Sequence, residues 1–534
     1  MSLINALHWM LRKGLWNAFT RGKYRKTRPK DVTTVASRRS PVPLIPLMDV
    51  FPAIPISGLR VAKHVPHDER QWAAEQMMRS LAKLCAWAPF SPMQAGRPGI
   101  AVNPQQALDQ AYGPRHRQTV RQQASAVQLD PKRMLRPPAM PIELQGLPDL
   151  GMLALRGPYA GYLRKVSGSS DDFEWDLEEL SSYSHQSDLY APWAHVLFKA
   201  DSARTSLHPV RIRCELGSIR PGDANWPLAT RIAVCAATTH TALVRHWTWT
   251  HMVGGEYFSA ATRTHLAPEH PLCRLLWPHM VGTHASNRLA ILGQLMPKGD
   301  FEAIYSLTYS GLCQLIGKTS EHFNLRACDP EEDARHRGLL DSGLPMPTFR
   351  NCRRIFRAFQ AHAERYLRLY FTDEEIRADQ SIRDWQAELD RLLPNGTGLA
   401  SSPLTCAALA RVVARLIYLA SVQHEQFGTQ LWNYQLWAAT HPVRVYRDGR
   451  RLPEDVYQRL VNSNYVLNVV RAPLLQDFAR LALAEPGRPN RQPLAEAVFA
   501  RFRQDLTRLQ RKMEHKPWAP WALYPADLEA NINA

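Results

Sequence analysis

Apolar and polar positions change period several times along the 534 residues, and each change predicts an element. Residues 68–87, DERQWAAEQMMRSLAKLCAW, place apolar side chains at helical spacing and predict an amphipathic helix. Before it, PVPLIPLMDVFPAIP (41–55) carries too many prolines for a helix and predicts extended chain. From about 92 to 148 the chain is rich in Pro, Gln and Arg with weak periodicity, the signature of a long loop-bearing region. Between 150 and 230 the runs LRKVSG, HVLFKAD and PVRIRCEL predict short strands, with turns at Gly168 and Pro221-Gly222. Helical patterns dominate from 297 onward. Gly396 and Gly398 break the chain before a run from Leu404 to Gln426 that is apolar on most sides, as in a buried central helix.

Charge alters the reading at one end. The net formal charge is +18, and half of it lies in the first 40 residues, where ten Lys and Arg oppose Asp31 alone. Leu3, Leu7, Met10, Leu11, Leu15, Trp16 and Phe19 sit among those basic residues. A stretch of this kind over residues 1–28 suits peripheral contact with an anionic membrane surface, and a basic tail that is disordered or docks on the protein's own surface fits equally well. We therefore separate a basic amphipathic or flexible amino-terminal segment, 1–40, from residues 41–534; length alone suggests about three domains, although single enzyme domains of this size exist. No groove-reading motif accompanies the charge, so nucleic acid is not expected as a partner.

The eight cysteines are scattered, with no CxxC, and predict buried free thiols in a reducing compartment. The opening residues lack the basic start and long apolar run of a secretory signal, and no stretch has 18 consecutive apolar residues. A cytoplasmic protein is expected.

The candidate chemistry lies between Trp226 and Gln294. His246 and His251 stand five apart in a helix-like run, but 20 histidines in a chain of this length give such a pair roughly once by chance. On a regular α-helix the two side chains would point about 140° apart and could not share a metal. A single π-turn would bring them onto one face.

The surrounding residues resemble the lipoxygenase family, the non-haem iron dioxygenases of polyunsaturated fatty acids. Leu228-Ala229, His246-Trp247 with Thr250-His251, then Glu256, Phe258, Ala261-Thr262 and Leu266 follow the family pattern in register. His270-Pro271, Arg274-Leu275-Leu276, Pro278-His279, Asn287 and Ala290 continue it. A second block carries Tyr366, Tyr370, Asp373, Ile376, Asp379 and Trp385. His424, in Ala-Ser-x-x-His before Phe427-Gly428, matches the family's third iron histidine. Leu523, Pro525, Leu528 and Ile532 match its carboxyl-terminal segment counted from the chain end.

The resemblance implies a mainly α fold: one large helical catalytic domain with a few short strands, its long central helices carrying the metal ligands. It implies one non-haem iron per chain, held by His246, His251, His424 and the terminal carboxylate of Ala534. It implies insertion of O2 into a cis,cis-1,4-diene of a polyunsaturated fatty acid to give a lipid hydroperoxide. Leu276, Asn287 and Ala290 would line the substrate pocket. Three departures bear on these expectations. Gly428 stands where the family carries a further ligand, usually Asn; Thr241 and Ala242 replace a His and a Gln; and Gly254-Gly255 adds one residue before Glu256. An oxygenase of another lipid-like or natural-product substrate, and an inactive lipid-binding protein on the same scaffold, are the alternatives.

Overall fold

Alternation between apolar and polar residues builds the first ordered layer. The computed structural model describes residues 42–47, 56–63, 146–399, 403–467, 474–475, 491–517 and 519–532. The expected helix at 68–87, most of the expected loop at 92–148, the basic stretch 1–28 and Ala534 lie outside them. β1 (Leu44–Pro46) pairs antiparallel with β2 (Arg60–Ala62), so the described part of the proline-rich run is extended as expected. A five-stranded antiparallel sheet follows in sequence order: β3 (Arg164–Lys165), β4 (Asp172–Asp176), β5 (His195–Ala200), β6 (Leu207–Cys214) and β7 (Gly217–Ile219). Phe173, Trp175, Val196, Phe198 and Ile212 share its buried face, because side chains two apart point the same way. Arg164, Glu174, Asp176 and His195 pair on the other face.

Helices form the rest. α1 (Trp226–His240), with Pro227 in its first turn, buries almost every residue from Ala229 to His240. It runs without a break into a π-helix, Thr241–Gly255, and then into α2 (Glu256–His265). α3 (Thr283–Ala290) lies against both. α4 (Pro347–Tyr370) is strongly amphipathic, and its Ile355, Phe359, Ala363 and Leu367 repeat at a spacing of four on one buried face. That face packs along α6 (Cys406–Tyr418) and the later α7 (Gln492–Glu514), where His362 stacks on Phe502 with ring centroids 4.2 Å apart. α5 (Gln380–Leu392), capped by the Asp379 carboxylate, docks on α2 through Trp385, whose Nε1 donates to Thr262 Oγ1 at 3.0 Å. Each fully buried Leu, Ile or Phe in these interfaces contributes about 1.5–3 kcal/mol.

α6 begins at Thr405, whose hydroxyl caps Ala408 N. The helical run continues through π-turns at Leu419–Gln423 and Gln426–Gln430 to Gln435. Over Cys406–Gln435 it is apolar and long enough to cross a membrane, yet 78% of its most apolar window is buried inside the protein. It is the central helix of the core. The architecture is therefore mainly α, one large helical assembly with a few short strands. Seven cysteines fall among the described residues, and all seven are free and buried.

Candidate metal centre

Backbone geometry brings the first two histidines together. A single π-turn is too modest a reading, because the π-helix runs for 15 residues. With hydrogen bonds from i to i+5 and roughly 4.4 residues per turn, residues five apart return to nearly the same face. Threonine hydroxyls reinforce this register: Thr248 Oγ1 donates to Leu243 O at 2.7 Å and Thr250 Oγ1 to Arg245 O at 2.8 Å, each five residues back. Glycines allow close approach at its end. A Cβ on Gly254 would lie 2.3 Å from Leu419 Cδ2, and one on Gly255 would lie 2.6 Å from Ile532 Cδ1.

His246, His251 and His424 converge from the two π-helical segments, with their ligand nitrogens within 4.8 Å of one another. His246 Nε2 and His251 Nε2 are 3.2 Å apart, and the ring centroids are separated by 4.8, 5.2 and 5.0 Å. All three side chains are buried. Burial pushes each imidazole pKa down, to about 4 for His251 and well below the ordinary 6.5 for His246 and His424, where the neighbouring imidazoles push the same way. The three rings are thus neutral at pH 7 and offer lone pairs.

The tautomer of His251 follows from Asn287. Both amide hydrogens of Asn287 are committed, one to His251 O at 2.9 Å and one to Glu256 Oε2 at 2.7 Å. Its Oδ1, 3.1 Å from His251 Nδ1, must therefore accept the Nδ1 proton. That leaves His251 Nε2 bare and facing the other two rings. Glu256 is itself fixed by Ala62 N at 2.6 Å and by His284 Nδ1 at 2.9 Å. Burial raises the Glu256 pKa, but His284 and these hydrogen bonds outweigh it, and the carboxyl is held below its ordinary value. On the opposite segment, neither nitrogen of the buried His424 has a hydrogen-bond partner among the described residues.

A first-row cation fits this set. Imidazole nitrogens at right angles on an ion with bonds of about 2.1 Å lie about 3 Å apart, close to the His246–His251 spacing. Two orphaned nitrogens on a neutral buried ring are costly unless something binds one of them.

Gly428 presents backbone to the centre. A Cβ there would stand 2.6 Å from His246 Nε2, so a larger side chain cannot enter without moving that ring. The neighbouring polar residues are engaged elsewhere. Gln426 Nε2 donates to Gly157 O at 3.2 Å, and Asn433 Oδ1 accepts from Asn464 Nδ2 at 2.8 Å.

The carboxyl-terminal segment threads into the same region. Leu528, Ala530 and Ile532 are fully buried; Ser421 Oγ donates to Glu529 O at 2.5 Å and His279 Nδ1 to Ala530 O at 2.7 Å. Ser421 lies three residues before His424, and Ile532 touches the end of the π-helix. Of the residues expected along a substrate pocket, Leu276 is wholly buried in the core and Ala290 is half-buried. Asn287 takes its place as the partner of His251. Sequence reasoning missed that role, together with Ser421 and His279 as anchors of the tail, because none of these contacts leaves a mark in spacing.

Fold and site together define a helical protein with a buried three-histidine centre carried on π-helical segments. Comparison with known proteins carries this further. The lipoxygenase family profile matches residues 211–311. A polyunsaturated fatty acid lipoxygenase of Mus musculus is 22% identical over 350 residues, covering 61% of this chain and 52% of that protein. The linoleate 9/13-lipoxygenase of Pseudomonas aeruginosa is 27% identical over 251 residues, covering 44% and 36%. The matches thus span about half the length of these relatives or less. Among solved structures, coral 8R-lipoxygenase superposes with a TM-score of 0.73 at 14% identity, covering 96% of this chain and 80% of its own. The manganese lipoxygenase of Gaeumannomyces graminis superposes with a TM-score of 0.70 at 15% identity, covering 98% of both chains. These findings support a divergent member of the lipoxygenase family.

Proposed function

We propose that the protein is a non-haem metal dioxygenase that inserts O2 into a cis,cis-1,4-diene of a polyunsaturated fatty acid and yields a lipid hydroperoxide. The convergence of His246, His251 and His424 carries the reading: three buried, neutral imidazoles, one without a hydrogen-bond partner among the described residues, meet at a point. In this proposal they hold one iron per chain, with the main-chain carboxylate of Ala534 as a further ligand. The buried path of residues 528–532 towards Gly255 supports that last assignment. The bound metal would supply the one-electron chemistry that removes a hydrogen atom from the doubly allylic carbon.

The chain's own residues do the rest. Burial keeps the imidazoles unprotonated, so that their lone pairs are available near neutral pH. Asn287, braced by Glu256, fixes the His251 ring and its tautomer. Gly428 contributes no side chain, which leaves one protein ligand fewer than in a site with Asn at that place. The apolar walls around the histidines keep water away from a carbon radical.

The fatty-acid relatives support the substrate class, among them an arachidonate complex of a lipoxygenase at TM-score 0.69 and 16% identity. The 41–534 catalytic unit, the cytoplasmic placement and the peripheral membrane contact through residues 1–28 belong to the same proposal; free, buried cysteines support a reducing compartment. The test is metal analysis for both iron and manganese on freshly purified protein, with an oxygen-electrode trace on adding linoleate. About one iron per chain with oxygen uptake is expected. Metal without uptake on linoleate or arachidonate would overturn the substrate class, and a folded protein with no metal would overturn the reaction.

A further inference from the structure

One residue before His246, Arg245 serves a different space. Its guanidinium lies 4.1 Å from the centroid of the Tyr162 ring and 5.4 Å from that of Phe427, and its Nη2 donates to Gly161 O at 2.8 Å. Among the described residues, its buried Nε has no hydrogen-bond partner and Arg245 has no ion pair. Gly161 is shaped to this group, since a Cβ there would stand 2.0 Å from Arg245 Nη1.

Arg245 lines a cleft of about 150 Å³ that none of the three histidines lines. The cleft also holds Arg337 and Asp333, but these two neutralise each other, with Asp333 Oδ2 3.0 Å from Arg337 Nε and 2.6 Å from Nη2. The remaining Arg337 amine donates to Ala160 O and Leu163 O. Asp333 also attracts Arg245, but two guanidiniums against one carboxylate leave the described lining one positive charge in excess, and a half-buried guanidinium with no anion in direct contact is a costly arrangement. Much of the wall around it is apolar, built from Trp249, Phe323, Met346, Phe349 and Phe427.

We propose that this cleft is a second binding site, for a small amphipathic monocarboxylate, with Arg245 receiving the carboxylate and the aromatic wall receiving the apolar body. The planar fork of a guanidinium matches a carboxylate, and its single charge balances one. Inorganic phosphate, tetrahedral and without apolar surface, matches neither the planar fork nor the aromatic wall. The volume suits a body about the size of benzene, and an eighteen-carbon chain does not fit within it. Both ligand-bearing segments contribute, Arg245 and Trp249 from one and Gln423, Gln426 and Phe427 from the other, so an acid bound there ties the two together. The inference does not depend on the metal centre.

Calorimetric titration of the full chain with sodium benzoate, benzyl alcohol and inorganic phosphate tests it. Benzoate is expected to bind saturably, with benzyl alcohol and phosphate weaker by about tenfold or more. Arg245→Gln should weaken benzoate by about tenfold or more, while His424→Ala should leave it within about twofold. Absence of saturable benzoate binding, equal binding of benzyl alcohol or phosphate, or full retention in Arg245→Gln overturns the proposal. So does loss in His424→Ala with retention in Arg245→Gln, which would place the acid at the histidines. If Arg245→Gln does not fold, Gly161→Ala displaces the guanidinium while keeping its charge and should weaken benzoate likewise; the three-ligand comparison on the unaltered protein stands by itself.

Discussion

The two segments that meet at the centre both carry π-helical turns, His424 lying between two of them, yet they hold their histidines in opposite ways. On Thr241–Gly255 the protein does the holding: hydroxyls of Thr248 and Thr250 stitch the helix, and Asn287 and Glu256 lock His251. On Leu419–Gln430 no hydrogen bond from a described residue reaches either nitrogen of His424, and Gly428 offers only backbone beside His246. On the first segment polar contacts aim a histidine ring directly; on the second, Ser421 and Gln426 anchor the helix to Glu529 O and Gly157 O while packing aims the His424 ring. A metal would complete the second half and merely occupy the first.

Substituting the histidines sharpens that contrast most. His251→Ala and His424→Ala should each lower metal affinity by about 100-fold or more. In the metal-free protein the two should diverge: His251→Ala leaves the buried Asn287 Oδ1 short of its donor and costs about 1–3 kcal/mol more than its packing loss, whereas His424→Ala removes a ring with no hydrogen-bond partner among the described residues and costs packing. Equal urea-unfolding midpoints for the two metal-free variants would remove the distinction. Adding one residue after Ala534 should displace the terminal carboxylate and cut metal content and oxygen uptake together; unchanged values would remove the terminus from the ligand set. Asn287→Ala should lower metal affinity by about 10–100-fold through loss of the His251 tautomer, read by competition with a chelator. Gly428→Ala should cost about 1–3 kcal/mol, because its Cβ collides with His246, and should weaken metal binding rather than restore it.

Stability should also depend on pH. His251 and His279 titrate near 4 in the folded protein and His362 and His441 near 3, all depressed by burial from 6.5. The unfolded chain therefore binds more protons below pH 6.5. Stability of the metal-free protein should be greatest above that value and fall as pH drops through 6.5 towards 4 and 3. A thermal midpoint independent of pH from 7 to 4 would contradict it.

Some of this was legible in the sequence. Strands β5 and β6 follow from alternation, and Gly396 and Gly398, both at positive φ, end the chain run where the pattern breaks. β4 escaped notice because Asp172, Glu174 and Asp176 disguise a strand whose other face carries Phe173 and Trp175. The histidines were legible as candidates, but the full π-helix was not. A regular α-helix suits the same residues, and the wider register is selected by neighbours: Leu419 against Gly254 and Ile532 against Gly255.

The sequence by itself determined the helical character, the order of the elements and the residue types available at the centre, because periodicity and side-chain chemistry are local properties. Tertiary structure decided which of 20 histidines meet, which tautomer His251 takes and that Arg245 faces a separate cleft. Those outcomes depend on contacts between residues 30 to 300 positions apart, such as Asn287 with His251 and Ser421 with Glu529, and on burial, which sets whether an imidazole is charged.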